Sequence, residues 1–407
     1  MLEKELLDFG FTQEEIDKFL NSHFCSTHNH RYLLIKFKIL SKWLSDLNFS
    51  IDNIKYVMLS VPRTLGYNIE ILNKKINYFV DYGIDRQSVL NSIKKQPSLL
   101  GVSMESLPEK ISFFESYGFT KTNIIYMLKK APSIFTYSTD GFSERLEKLT
   151  LYGFDKKDII KMIRTEPRVF CASGEKLYEK MENYLVYGYT KEEIKKMVSI
   201  FPQMLYYSSD YIEMKINTYI SLGYKKADLL KMIKRFPGIL SFKEDFVRDK
   251  ISYYMSLGYK KEDVIKITSV HTRLLYYSPD YYNKRINFLI SLGYKREEVI
   301  SMTVSMPSII EFSFETMKEK IDFYNSIGFH DVFVNYPKNL MQSISLSYAR
   351  YMFYTENNVE IDANNFRKLF IGSKRIFDIY GVTNNDLLKK YPYIREKGIE
   401  RWMNYIV

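Results

Sequence analysis

The chain has 407 residues, 46% of them apolar, with a formal net charge of +11 and an isoelectric point of about 9.1. No run of 18 apolar residues exists, which excludes a membrane-spanning helix, and two cysteines, Cys25 and Cys171, are too few for a disulfide framework. The positive balance points to a polyanion or an acidic surface as partner and leaves the fold open.

The first twenty residues carry four Glu, two Asp and no Arg. That matches neither a secretory signal nor a transit peptide. A cytoplasmic, bacterial setting is therefore expected, or an organelle matrix if a targeting segment has been removed. Residues 1–47 read as a divergent N-terminal cap unit: Gly10-Phe11-Thr12 opens it, and Thr12 with Glu15 forms a capping box. His23, Cys25, His28 and His30 fall within eight residues and invite a zinc hypothesis. Their spacing matches no closed structural site, and a polar loop explains them as well.

From Asn48 the chain repeats every 35 residues. Gly83, Gly118, Gly153, Gly188, Gly223, Gly258, Gly293 and Gly328 share one column, and Asn48 stands one period earlier. Pro62, Pro97, Pro132, Pro167, Pro202, Pro237 and Pro307 share another, with Thr272 in the gap. A fixed period of this length predicts an all-α, curved helical-repeat solenoid, because each unit covers its apolar face only by stacking on its neighbours. Repeats occupy 48–330, and 331–407 hold a degenerate repeat and a C-terminal helical cap.

Each unit predicts a helix, a short 3₁₀ turn and a second helix. Thr120, Asp155 and Thr190 cap the first helix, with Asn123, Asp158 and Glu193 three places on. Its stripe is Ile124, Ile125, Met127, Leu128 in one unit. The proline ends it, since the preceding residue is driven out of helical geometry, and then opens the turn. Ser103, Ser138, Ser173, Ser208, Ser278 and Ser313 cap the second helix, and Lys243 breaks that column. The glycine closes the unit in a left-handed conformation. Past Gly328 the phase decays to Pro337, and Arg350 and Asn358 take the basic and turn positions of a shortened unit.

A Gly-aromatic turn, an Ile/Met helix, Pro-x-Leu-Leu or a variant, a Ser cap and Lys-Ile-x-aromatic before the next Leu-Gly resembles the mitochondrial transcription termination factor (mTERF) family, over about residues 48–330. The resemblance implies a curved, basic helical solenoid that binds nucleic acid, mostly duplex DNA, and acts on transcription. It carries over no base-reading residue. A pentatricopeptide unit shares the length and would imply single-stranded RNA, but it requires neither the mid-unit proline nor the serine column.

Three sets of cations compete for a polyanion. Lys75, Lys110, Arg145, Lys180, Lys215, Lys250, Arg285 and Lys320 fall inside the second helix's apolar stripe. They either lay their stems on the neighbouring unit and cap carbonyls or form a phosphate ladder. Arg86, Lys121, Lys156, Lys191, Lys226, Lys261 and Arg296 open the first helix. A cation there opposes the helix dipole, so an acidic neighbour or a phosphate is needed to explain it. Lys94, Lys95, Lys129, Lys130, Lys161, Arg164, Lys196, Lys231, Lys234, Arg235 and Lys266 share the face opposite the apolar stripe. They are a solvated surface or an electrostatic track. With helices stacked about 8–10 Å apart, each unit would follow roughly three base pairs. Tyr206-Tyr207 and Tyr276-Tyr277 are candidate stacking pairs among aromatics otherwise expected in the core.

No phosphate loop, nucleophile elbow or HExxH stands in the chain. The expected protein is therefore no enzyme, needs no cofactor, and acts as a monomer on duplex DNA, away from membranes. RNA binding and a protein-binding scaffold are the alternatives.

Overall fold

The computed structural model describes residues 1–329, 331–362 and 365–393, and no strand occurs among them. His330, and the part of the C-terminal cap expected over 394–407, lie outside the described residues. The chain is a helical-repeat solenoid.

One unit shows how the sequence builds it. Thr120 accepts the Asn123 N–H, and Asn123 returns the bond, so the helix Lys121–Lys130 starts from a closed capping box. Ala131, before the proline, leaves helical geometry at φ −138°, ψ 64°. Pro132–Thr136 makes one 3₁₀ turn. Ser138 then caps the helix Thr139–Leu151 by accepting the Gly141 N–H. Gly153 follows at φ +103°, a conformation that an L side chain resists. Every glycine of the column is left-handed, and among the described residues the two non-glycines that share this conformation are Asn48 and Asn358.

The core is what the stripes predict, narrowed slightly. Ile124, Met127 and Leu128 are buried, as are Ile134, Phe135, Phe142, Leu146 and Leu149, whereas Ile125 is half-buried. Burying each such side chain stabilises the stack by about 1.5–3 kcal/mol. One cap differs from expectation. Ser103 accepts the Ser106 N–H, but the helix proper runs Ser106–Tyr117, with Glu105 at its N-cap.

Two compact units divide the chain, Met1–Glu213 and Met214–Val407. In the first, helices Arg86–Lys95, Lys121–Lys130, Lys156–Thr165 and Lys191–Ile200 pack in succession, and the 3₁₀ turns form a second ladder beside them. Its N-terminal end is closed by Phe9, Phe11 and Phe37, with rings 5.2–6.2 Å apart, and by the Thr12–Glu15 capping box. In the second, Lys226–Arg235, Lys261–Val270 and Arg296–Ser305 repeat the first-helix ladder. The helix Ile344–Glu356 then carries the C-terminal elements.

Candidate nucleic-acid interface

The first set of cations turns inward. Lys180 Nζ donates to the Tyr207 carbonyl at 2.7 Å, Lys250 to Tyr277 at 2.5 Å, and Lys75 to Leu100 at 2.5 Å. Arg145 Nε and Arg285 Nη1 reach Ala172 and Phe312 at 2.6 Å. Lys110, Lys215 and Lys320 donate in the same way to Tyr137, Phe242 and Leu340. In most units the acceptor is the carbonyl just after the next 3₁₀ turn. Aromatic rings lie against several of these cations, as with Arg145 over Tyr137 at 4.4 Å. Burial lowers the ammonium pKa of Lys75, Lys110, Lys215, Lys250 and Lys320. This column fastens one repeat to the next, which sets the phosphate-ladder alternative aside. Arg350 continues it, donating to the Leu369 carbonyl and to Asn384, each at 2.9 Å.

The second set does open each first helix: Arg86, Lys121, Lys156, Lys191, Lys226, Lys261 and Arg296 all stand at the first helical position. Its recurrence has an intramolecular reason that spacing alone did not show. Lys121 Nζ lies 5.2 Å from the Tyr82 ring centre, Lys156 5.2 Å from Tyr117, and Lys191 5.4 Å from Tyr152. Each aromatic directly precedes the left-handed glycine of the preceding repeat, and Lys121 and Lys156 pass close over Gly83 and Gly118. Arg86 bonds Asn77, and Lys191 pairs with Glu182.

The third set is the outward one, and its members differ. Lys94 donates to the Asn48 carbonyl and lies over Phe49; Lys95 reaches the Lys129 carbonyl; Lys129 pairs with Asp85 at 2.9 Å. Asp85, held by Lys129 and Ser88, is well below the usual carboxylate range. Arg235 caps Ser269 and Val270 at 2.7 Å, and Lys231 lies 3.6 Å from Asp228. Lys130 sits over Tyr126, and Lys234 is exposed. Lys161, Arg164, Lys196 and Lys266 are exposed, and their side chains make no hydrogen bond or ion pair among the described residues. Lys161 and Lys196 occupy the same position on packed neighbouring helices. Sequence reasoning passed over Lys157, exposed beside Lys156; the Lys-Lys doublet was its signal.

In three successive repeats charge is segregated between the two helices. Helices Arg86–Lys95, Lys121–Lys130 and Lys156–Thr165 together carry ten Lys and Arg against one acid, Asp158. The second helices beside them expose Glu109 and Glu115, then Asp140 and Glu147, then Glu175 and Glu179. A polyanion is attracted to one ladder and repelled by the other.

The tyrosine pairs separate. Tyr207 and Tyr277 stack internally on Tyr211 and Tyr281, each at 4.6 Å. Tyr206, 39% exposed, lies under Arg168, and Tyr276 packs against Phe236 and Phe242. The histidine-cysteine cluster does not converge. Cys25 is buried, His28 is stacked between Phe24 and Tyr32 with Nδ1 on the Phe24 carbonyl, and no group of three metal-ligating side chains occurs among the described residues. No helix among them is long and apolar enough to cross a membrane.

The mTERF family model matches residues 45–215 and again 208–366. No curated protein matches the chain.

Proposed function

Because the chain belongs to the mTERF family, a family of nucleic-acid-binding helical-repeat proteins, we propose that it is a non-enzymatic repeat protein that binds duplex DNA and acts in transcription termination or regulation. The outward face of the first helices is its binding surface. The observation that supports this best is the charge segregation in three successive repeats, which leaves their first helices strongly basic and the second helices beside them acidic. The contacts are Lys130, Lys157, Lys161, Arg164 and Lys196 in the first compact unit, with Lys266 in the second. Lys94, Lys95, Lys129 and Arg235 serve the fold first, since their donors or charges already meet neighbouring residues.

The test is competition among duplex DNA, single-stranded RNA and structured RNA at matched salt. Duplex DNA should bind tightest, with affinity falling steeply as salt rises. Replacing Lys161, Arg164 and Lys196 with Gln should flatten the log–log salt dependence by about 0.9 per lost contact. A preference for RNA would replace the DNA reading, and an unchanged slope would move the binding face elsewhere.

A further inference from the structure

One column departs from its serine in three repeats, with Asp81 in one and an aliphatic in two consecutive others. Two residues before the glycine, Ser116, Ser221, Ser256, Ser291 and Ser326 each turn the hydroxyl back onto the carbonyl three residues earlier, at 2.7–2.9 Å. Leu151 and Val186 stand there instead, 67% and 80% exposed. A water-facing aliphatic at a position that in five repeats carries a self-satisfied serine forfeits both the hydrogen bond and solvation, and here it recurs in adjacent repeats.

The surroundings say what would cover it. Asp140, Glu144, Glu147 and Leu151 fall at i, i+4, i+7 and i+11, which is one face of the helix Thr139–Leu151. Glu175, Glu179, Glu182 and Val186 repeat that spacing one period later, through the helix Gly174–Glu182 and the 3₁₀ turn Leu185–Tyr187. The two helices pack directly on each other. Lys148 bridges the rows through Glu175 at 2.5 Å, and Glu182 takes Lys191 at 3.2 Å. Asp140, Glu144, Glu147 and Glu179 make no ion pair among the described residues. The first acidic row therefore runs about 16 Å to Leu151, and the second leaves the helix at Glu182 before Val186.

We propose that this face docks a cationic amphipathic helix of a partner protein. Its Lys or Arg residues, one turn apart, lie along the two acidic rows, and an apolar residue at one end seats between Leu151 and Val186. The acids steer the approach, and the apolar contact holds the bound state. Phosphate would be repelled here, so the site is separate from the proposed nucleic-acid face and does not rest on it.

The probe is a synthetic amphipathic peptide about five turns long, with Lys along one face and Leu at one end. It is titrated into the full chain by fluorescence anisotropy, without nucleic acid. The variant L151S/V186S restores the residue that five other repeats carry. It should keep its thermal unfolding curve and weaken peptide binding at least about tenfold. Glu147→Gln with Glu179→Gln should also weaken binding and reduce its salt dependence. A peptide with Ser in place of its Leu should bind the unaltered protein more weakly, a comparison that needs no variant. Equal binding of the two peptides, or unchanged binding by L151S/V186S, would each overturn the proposal.

Discussion

Lys110 sits in a column that looks, by charge alone, like a phosphate contact, yet its ammonium is spent on the Tyr137 carbonyl and its stem is buried. The column's place inside the apolar stripe made the inward reading available from spacing; the acceptor, 27 residues on, was not, because it depends on how repeats stack. Lys110→Met keeps most of the stem and leaves that carbonyl unpaired, so it should destabilise by about 1–3 kcal/mol in urea unfolding. Lys110→Ala removes the packing as well and should cost more. Glu166 offers a residue with a pH signature. It is 7% exposed, and Arg168 donates to it at 2.9 and 3.1 Å. Burial alone would raise its carboxyl, but the hydrogen bonds from Arg168 and Tyr206 outweigh burial and hold it below 4.5. The contribution is therefore complete above pH 4.5 and is lost as pH falls through the lowered native value. Glu166→Gln should unfold at lower urea than the unaltered protein at neutral pH, and the gap should close on acidification. The His23–His30 cluster shows the opposite limit: close spacing could not say that His28 would be sandwiched between two rings.

At the scale of the element, caps and breaks were legible because they are local. Thr120, Ser138 and the glycine column act within a few residues of themselves, and each does so as its type predicts. What spacing missed was lateral: Arg235 capping Ser269 and Val270, or Lys156 lying over Tyr117, needs the next repeat in place. The proline gap shows how far neighbours can substitute for local chemistry. Thr272–Leu275 still forms a 3₁₀ turn, and His271 before it already stands at φ −124°, ψ 74°, compatible with a following proline. Thr272 Oγ1 is buried with no hydrogen-bond partner. Thr272→Pro should therefore stabilise the protein, by about 0.4–1 kcal/mol through the unfolded chain and further by removing that hydroxyl. A higher urea midpoint is the expected result; a lower one would mean that the turn at Thr272 differs from its seven counterparts.

Across the whole molecule, the 35 tyrosines and the buried lysines give opposite responses to alkali. Burial pushes phenols up, Tyr224, Tyr253 and Tyr276 to about 12, and Tyr184 and Tyr254 higher still. Several hydroxyls are also spent on carbonyls, as Tyr184 on Met204 and Tyr254 on Leu274. Such phenols keep their protons in the native state after the unfolded chain has begun to lose them near pH 10, so their contribution is present below pH 10 and lost as pH rises toward the native values. Burial lowers the capping lysines, so the unfolded chain binds more protons just below 10.5, and those groups favour folding as pH rises toward that value. Raised phenols outnumber lowered ammoniums, and the tyrosines therefore dominate above pH 10. The melting temperature should hold or climb slightly up to that point and then fall. Most of the phenolate absorbance should appear together with loss of helical ellipticity, since solvent must reach the buried hydroxyls for them to ionise. Full phenolate absorbance in a still-helical protein near pH 10 would mean that the aromatic columns are open to water, and the stacked core described here would have to be redrawn.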